Sequence, residues 1–163
     1  MKSKKENIAE FILYIWQLED YLRAFPEMAE QNEELHNIYQ MMHADDVMDG
    51  GHTQIAQMAL KELEILSDEI ADQEITYHAA LKQLEPSLNI LKAKTDRPTM
   101  SHIEACLVLL YQIMLLRLRK QPISAETEQV QRQATELLKY LSKTYFKQQE
   151  LEENAVAEEL ESI

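Results

Sequence analysis

A chain of 163 residues with only two glycines and four prolines has room for one hydrophobic core but not comfortably for two, and it lacks the punctuation that turn-rich β architectures need. Its formal net charge of -13, from 29 acidic and 16 basic side chains, repels phosphate backbones and anionic headgroups, so neither nucleic acid nor a membrane surface is an expected partner. The single cysteine, Cys106, sits in an apolar run and cannot form an internal disulfide, which fits a reducing, cytoplasmic setting.

The first helix is expected over residues 3–25, ending at Pro26, with Ile8, Phe11, Ile12, Ile15, Leu18 and Leu22 on one stripe at ~100° per residue. The second runs from 27 to the mid-forties, facing inward through Met28, Leu35, Ile38, Tyr39 and Met42. Asp49-Gly50-Gly51 breaks the chain, because glycine pairs favour turns. The third helix, 53–71, carries Ile55, Met58, Ala59, Leu63, Leu66 and Ile70. The fourth, 72–94, carries Tyr77, Leu81, Leu84, Leu88 and Leu91, and Pro86 within it must kink or divide it.

After a loop at 96–99, Ser101 and Glu104 have the spacing of a capping box that opens the fifth helix. This helix, to about residue 120, is apolar nearly all round, as expected at the centre of a bundle or in an oligomer interface. Its most apolar segment, 105–116, is shorter than the ~20 residues of a membrane span. Ser124 caps the sixth helix, whose stripe is Val130, Ala134, Leu137, Leu138, Leu141 and Tyr145. From Gln148 the stripe gives way to glutamates, six of them between 150 and 163 with no basic residue, so a single domain over 1–147 is expected to end in a frayed or disordered acidic tail, 148–163. The expected fold is all-α, a bundle of about six helices around the apolar fifth.

Three stretches resemble a known family: Glu6-Asn7-Ile8-Ala9-Glu10-Phe11 through Trp16-Gln17-Leu18-Glu19-Asp20, then Gly51-His52-Thr53-Gln54-Ile55, then Ile103-Glu104-Ala105-Cys106 through Leu115-Leu116-Arg117-Leu118. Together they resemble a domain-of-unknown-function family of small all-helical proteins from Bacteroides-type bacteria, over most of the chain. The resemblance implies an all-helical fold and a bacterial cytoplasm, with no activity, substrate or cofactor. Where that family has a small residue after the tyrosine of the fifth helix, this chain has Gln112, which argues against very close helix packing there.

Charges on core stripes are the main chemical oddity. Glu19 falls within the stripe of the first helix, Glu62 within that of the third and Arg117 within that of the fifth, one heptad after Leu110. A buried charge must be paired or neutralised. These three therefore read as a structural ion pair, Glu19 with Arg117, or as a pocket binding a polar or anionic ligand through Arg117. Glu33-x-x-His36 has the spacing of carboxylate-bridged di-metal bundles, although such bundles need two copies and further glutamates. His43 shares a helix side with His36, and Asp45, Asp46, Asp49 and His52 follow, so Glu33, His36 and His43 form the candidate metal set.

Cys106 lies one helical turn from His102, but its apolar setting favours a packed, inert thiol. The aromatic side chains of the first helix, Tyr14, Trp16, Tyr21 and Phe25, read mainly as packing. Nucleophilic serine motifs, phosphate-binding glycine loops and zinc-type cysteine pairs are absent from the sequence. The expectation is therefore a non-enzymatic bundle without a cofactor, acting through contact with another protein or with itself as a homodimer. The alternative is a small-ligand or metal-binding bundle.

Overall fold

The computed structural model describes residues 3–163 and is all-helical, with no strand among the described residues. The helices are α1 (Ile8–Ala24), α2 (Glu33–Ala44), α3 (Gln54–Gln73), α4 (Ile75–Lys94), α5 (His102–Leu118) and α6 (Ala125–Glu161), with a 3-10 turn, Pro26–Glu30, between α1 and α2. Side-chain caps set four of the starts. Asn7 accepts from Glu10 N, Asn32 from Leu35 N, Ser101 from Glu104 N and Ser124 from Thr127 N. Each satisfies an amide that the first turn leaves unpaired.

Three helices end alike without glycine. Asp46, Asp96 and Lys120 take positive φ of 56°, 55° and 57° just after α2, α4 and α5. The amide of each bonds back three residues, and the next amide bonds back five: Val47 N to Met42 O, Arg97 N to Lys92 O, and Gln121 N to Leu116 O. This is the Schellman ending, which glycine usually occupies. With only two glycines in the chain, L-residues carry the left-handed strain.

Helices α1, α3, α4, α5 and α6 form the bundle, and α5 touches the other four, while α2 packs on α1 and the 3-10 turn. The core is one cluster built on Ile12, Leu22, Leu63, Leu88, Leu107 and Leu141. Buried Tyr77 donates to or accepts from Ser67 Oγ at 2.6 Å, which satisfies both hydroxyls inside the core.

Four details depart from the sequence reading. Met58, expected inside, is 56% exposed, and Ala56 is buried in its place. Pro86 does not divide α4, which runs unbroken to Lys94. It is exposed, so the Lys82 carbonyl that loses its amide partner lies on the solvent side of the helix. Gln112 points to solvent and leaves the packing of α5 untouched. Finally, α6 stays helical well past Gln148, where a frayed tail is expected, and every side chain from Leu151 on is exposed. Glutamate, leucine and alanine are good helix formers, and no glycine or proline interrupts them. Lys5 ties down the start of this region, its Nζ 2.6 Å from both Glu150 and Glu153 and over the Phe146 ring.

Among the described residues no helix is long and apolar enough to cross a membrane.

Candidate functional site at the junction of α1, α3 and α5

Glu19 is fully buried. Its Oε1 lies 2.7 Å from His52 Nδ1, and its Oε2 accepts from Thr53 N at 2.7 Å. Thr53 is the N-cap residue of α3, and its own side chain makes no cap bond. The Glu19 carboxylate thus takes the N-cap amide itself, from another helix, at the positive end of the α3 dipole. Asp45 supplies a second acceptor, for Gln54 N at 2.8 Å. Thr53 Oγ1 is buried without a hydrogen-bond partner among the described residues.

His52 is clamped from several sides. Its ring stacks on Trp16 at 4.6 Å and 17°, and its carbonyl accepts from Gln57 Nε2 at 2.6 Å. The contact between Nδ1 and the Glu19 carboxylate fixes the ring's orientation against Trp16. Trp16 meets the Tyr111 ring edge-on at 5.9 Å, and the Tyr111 hydroxyl donates to Asp20. Burial, and after it the Asp20 contact, pushes the Tyr111 hydroxyl well above its ordinary range, so it stays a donor.

Arg23 locks the turn before His52. It donates to the Val47 carbonyl through Nε at 3.2 Å and Nη2 at 2.9 Å, to the Gly51 carbonyl, and to Asp20 at 3.0 Å. Gly51 has φ of 86°, where an L side chain would be strained. The geometry fastens about two turns of α1, from Trp16 to Arg23, to the Gly50-Gly51 loop, to the start of α3 and to α5.

The outer side of His52 borders a cleft of about 580 Å³ shared with Gln57, Lys61 and Glu64. Arg97 and Glu104, paired at 2.6 Å, close its far side.

The other candidate residues lie elsewhere. Arg117 is exposed and donates to Gln131 Oε1 at 2.7 Å, so the Glu19–Arg117 pair does not form. Arg117 is in the last turn of α5, where it faces Gln131 of α6 at the surface instead of Glu19. Glu62 is half-buried and accepts from Lys4 Nζ at 2.7 Å and the Tyr145 hydroxyl at 2.5 Å. Glu19, Glu62 and Arg117 therefore have separate partners and do not line one pocket.

Glu33, His36 and His43 are all exposed on α2, and the His43 ring meets Tyr39 edge-on at 4.6 Å. Among the described residues no group of three or more His, Cys, Asp or Glu side chains is arranged to hold a metal ion. Cys106 is buried, and burial pushes its thiol up to about 12. Its helical neighbour His102 bonds Lys92 Nζ at 2.9 Å instead.

Sequence reasoning finds Glu19 but misses its partner. His52 enters the sequence reading only as a straggler of the acidic metal set. The usable signal is that Trp16, Glu19 and Asp20, then His52 and Thr53, and then Tyr111 belong to the three stretches that carry the family resemblance, and they converge on this junction.

No curated protein and no solved structure matches the chain. A family model does, over residues 1–35 and 26–153, and the chain belongs to that family, the domain of unknown function DUF4924.

Proposed function

We propose that the protein is a non-enzymatic helical bundle that acts by binding another protein, and that the free end of α6 is its docking element. The observation that carries this reading is the apolar stripe of that end. Val156 and Leu160 are 55% and 66% exposed, and their i, i+4 spacing puts them on one helix face, with Ile163, 98% exposed, just past the end of α6. At ~100° per residue that face continues the side on which Leu138 and Tyr145 enter the core. The stripe outlasts the bundle that would cover it.

Six glutamates surround it, which selects the occupant. A second copy of the same end would bring like charge against like charge, whereas a basic amphipathic helix would cover the stripe and neutralise its flanks. The Glu19–His52 junction serves this reading as a structural clamp. It fixes α1 on α3 and involves no group of the α6 end.

Binding of a synthetic amphipathic Leu/Lys peptide to the full chain tests the proposal, against a scrambled peptide of identical composition. The amphipathic peptide should bind at least about tenfold tighter, since covering one large apolar side chain contributes roughly 1.5–3 kcal/mol. Val156→Ser with Leu160→Ser leaves the charge intact and should erase that preference. Equal binding of the two peptides, or an unchanged preference in the serine variant, would overturn the reading.

A further inference from the structure

We propose that the groove between α4 and α6 is a binding site for a small apolar carboxylate, with Arg132 as its anion-recognising group. This site is distinct from the free end of α6 and independent of the protein-binding reading.

The groove has a volume of about 540 Å³, within the range of small-molecule sites. Its floor is Tyr77 and Leu137, 5% and 4% exposed, and Ala80 leaves room above them. The Tyr77 and Tyr140 rings stand 5.9 Å apart at 31° and form an aromatic wall. Both hydroxyls are occupied, Tyr77 by Ser67 and Tyr140 by Glu74. Burial pushes the Tyr77 hydroxyl up to about 12, and the bond to Glu74 raises that of Tyr140, so the walls stay uncharged. Such a surface takes the apolar body of a ligand and offers its polar parts little.

The two ends differ in charge. At one end Glu74 is engaged by Tyr140. Arg132 lies eight residues before Tyr140 on the same helix, which places it roughly 12 Å away at the other end. It lines the groove beside Gln83 and Gln133 and has no hydrogen bond or ion pair among the described residues. Glu136, one turn on, faces Lys139 at 3.9 Å. A guanidinium is charged at every physiological pH and presents two parallel donors, which matches a carboxylate. An apolar slot about 12 Å long with one unpaired guanidinium at its end fits a medium-chain or aromatic monocarboxylic acid.

Titration calorimetry of the full chain with decanoate, decan-1-ol and decyltrimethylammonium tests the assignment, with amide chemical shifts to locate the site. Decanoate should bind saturably at one site, shift the amides around Ala80 and Leu137, and bind about ten- to a hundredfold tighter than the alcohol, the usual span for a hydrogen bond to a charged group. Arg132→Gln should remove that advantage and leave the alcohol unaffected. Ala80→Phe should weaken all three ligands by filling the slot. Both substitutions are at exposed positions, so the fold persists. Equal affinity for acid and alcohol, no effect of Arg132→Gln, or shifts centred elsewhere would each overturn the proposal.

Discussion

Replacing Glu19 with alanine should be the most damaging single change at the α1–α3 junction. The side chain is fully buried and makes two bonds, to His52 Nδ1 and to Thr53 N, both at 2.7 Å. Removing it leaves the N-cap amide of α3, Thr53 N, without an acceptor, takes the partner from His52, and opens a cavity beside Trp16. A hydrogen bond to a charged group contributes roughly 1.5–3 kcal/mol, so losing these two, one of them to a partly exposed ring, costs about 3–5 kcal/mol. In a domain of this size 1 kcal/mol moves the melting temperature by roughly 2–4 °C, so Glu19→Ala should melt about 6–20 °C lower.

Glu19→Gln keeps the shape and an acceptor for Thr53 N, and the imidazole can switch tautomer to accept from the amide, so about half of that loss is expected. Chemical denaturation followed by circular dichroism at 222 nm gives both values. His52→Ala and the double variant complete the cycle, with a coupling of at least about 1 kcal/mol expected between residues in direct contact. A loss under about 1 kcal/mol for Glu19→Ala, or glutamine as costly as alanine, would refute the view that this carboxylate fastens α3 to α1.

Arg117→Met should change stability by no more than about 0.5 kcal/mol in a urea melt, because the guanidinium is exposed and its bond to Gln131 is a surface one; a large loss would return it to the core. Lys120→Gly should stabilise by about 0.5–1 kcal/mol, since relief of the left-handed strain at φ 57° exceeds the added entropy of the unfolded chain; calorimetric melting checks the sign. His102 should make the protein less stable in mild acid. Burial first, and then the Lys92 ammonium, holds its imidazole below the ordinary 6.5, so the unfolded chain takes up the proton before the folded one. Its stabilising share is complete above pH 6.5 and is lost as the pH falls from there through the lower, folded value. Melting temperatures from pH 7.5 to 5 should show a slope that His102→Gln flattens.

Periodicity exposes the bundle because helical phase is a local property. Ser101 and Ser124 cap as their spacing demands, and the stripes of α1 and α6 enter the core nearly residue for residue. What phase does not encode is axial position. Arg117 and Leu110 share a side of α5, but Leu110 packs half-buried against the core and Arg117 lies exposed in the last turn. Glu62 is in phase with the α3 core and still lies at its edge, half-exposed, where Lys4 and Tyr145 reach it. Burial of Glu19 is readable from α1 alone, whereas its partner comes from a Gly-Gly loop 33 residues on, positioned by Arg23 through carbonyls that any sequence would supply. The α4–α6 groove is equally silent, since it depends on a small residue, Ala80, beside Tyr77 on α4 and across from Tyr140 on α6.

Trp16 has a consequence for how the protein would be watched as it unfolds. It is the only tryptophan, 3% exposed, stacked on His52 and edge-on to Tyr111. Its emission therefore reports one event, the docking of α1 against the start of α3 and the side of α5. Far-ultraviolet ellipticity counts every helical residue, including the exposed last turns of α6. On heating, those turns should unwind gradually while Trp16 stays dark to the change. The two signals will then disagree at low temperature and coincide at the main transition, a pattern that mimics a folding intermediate and here means a single cooperative core with a helix end that melts by itself.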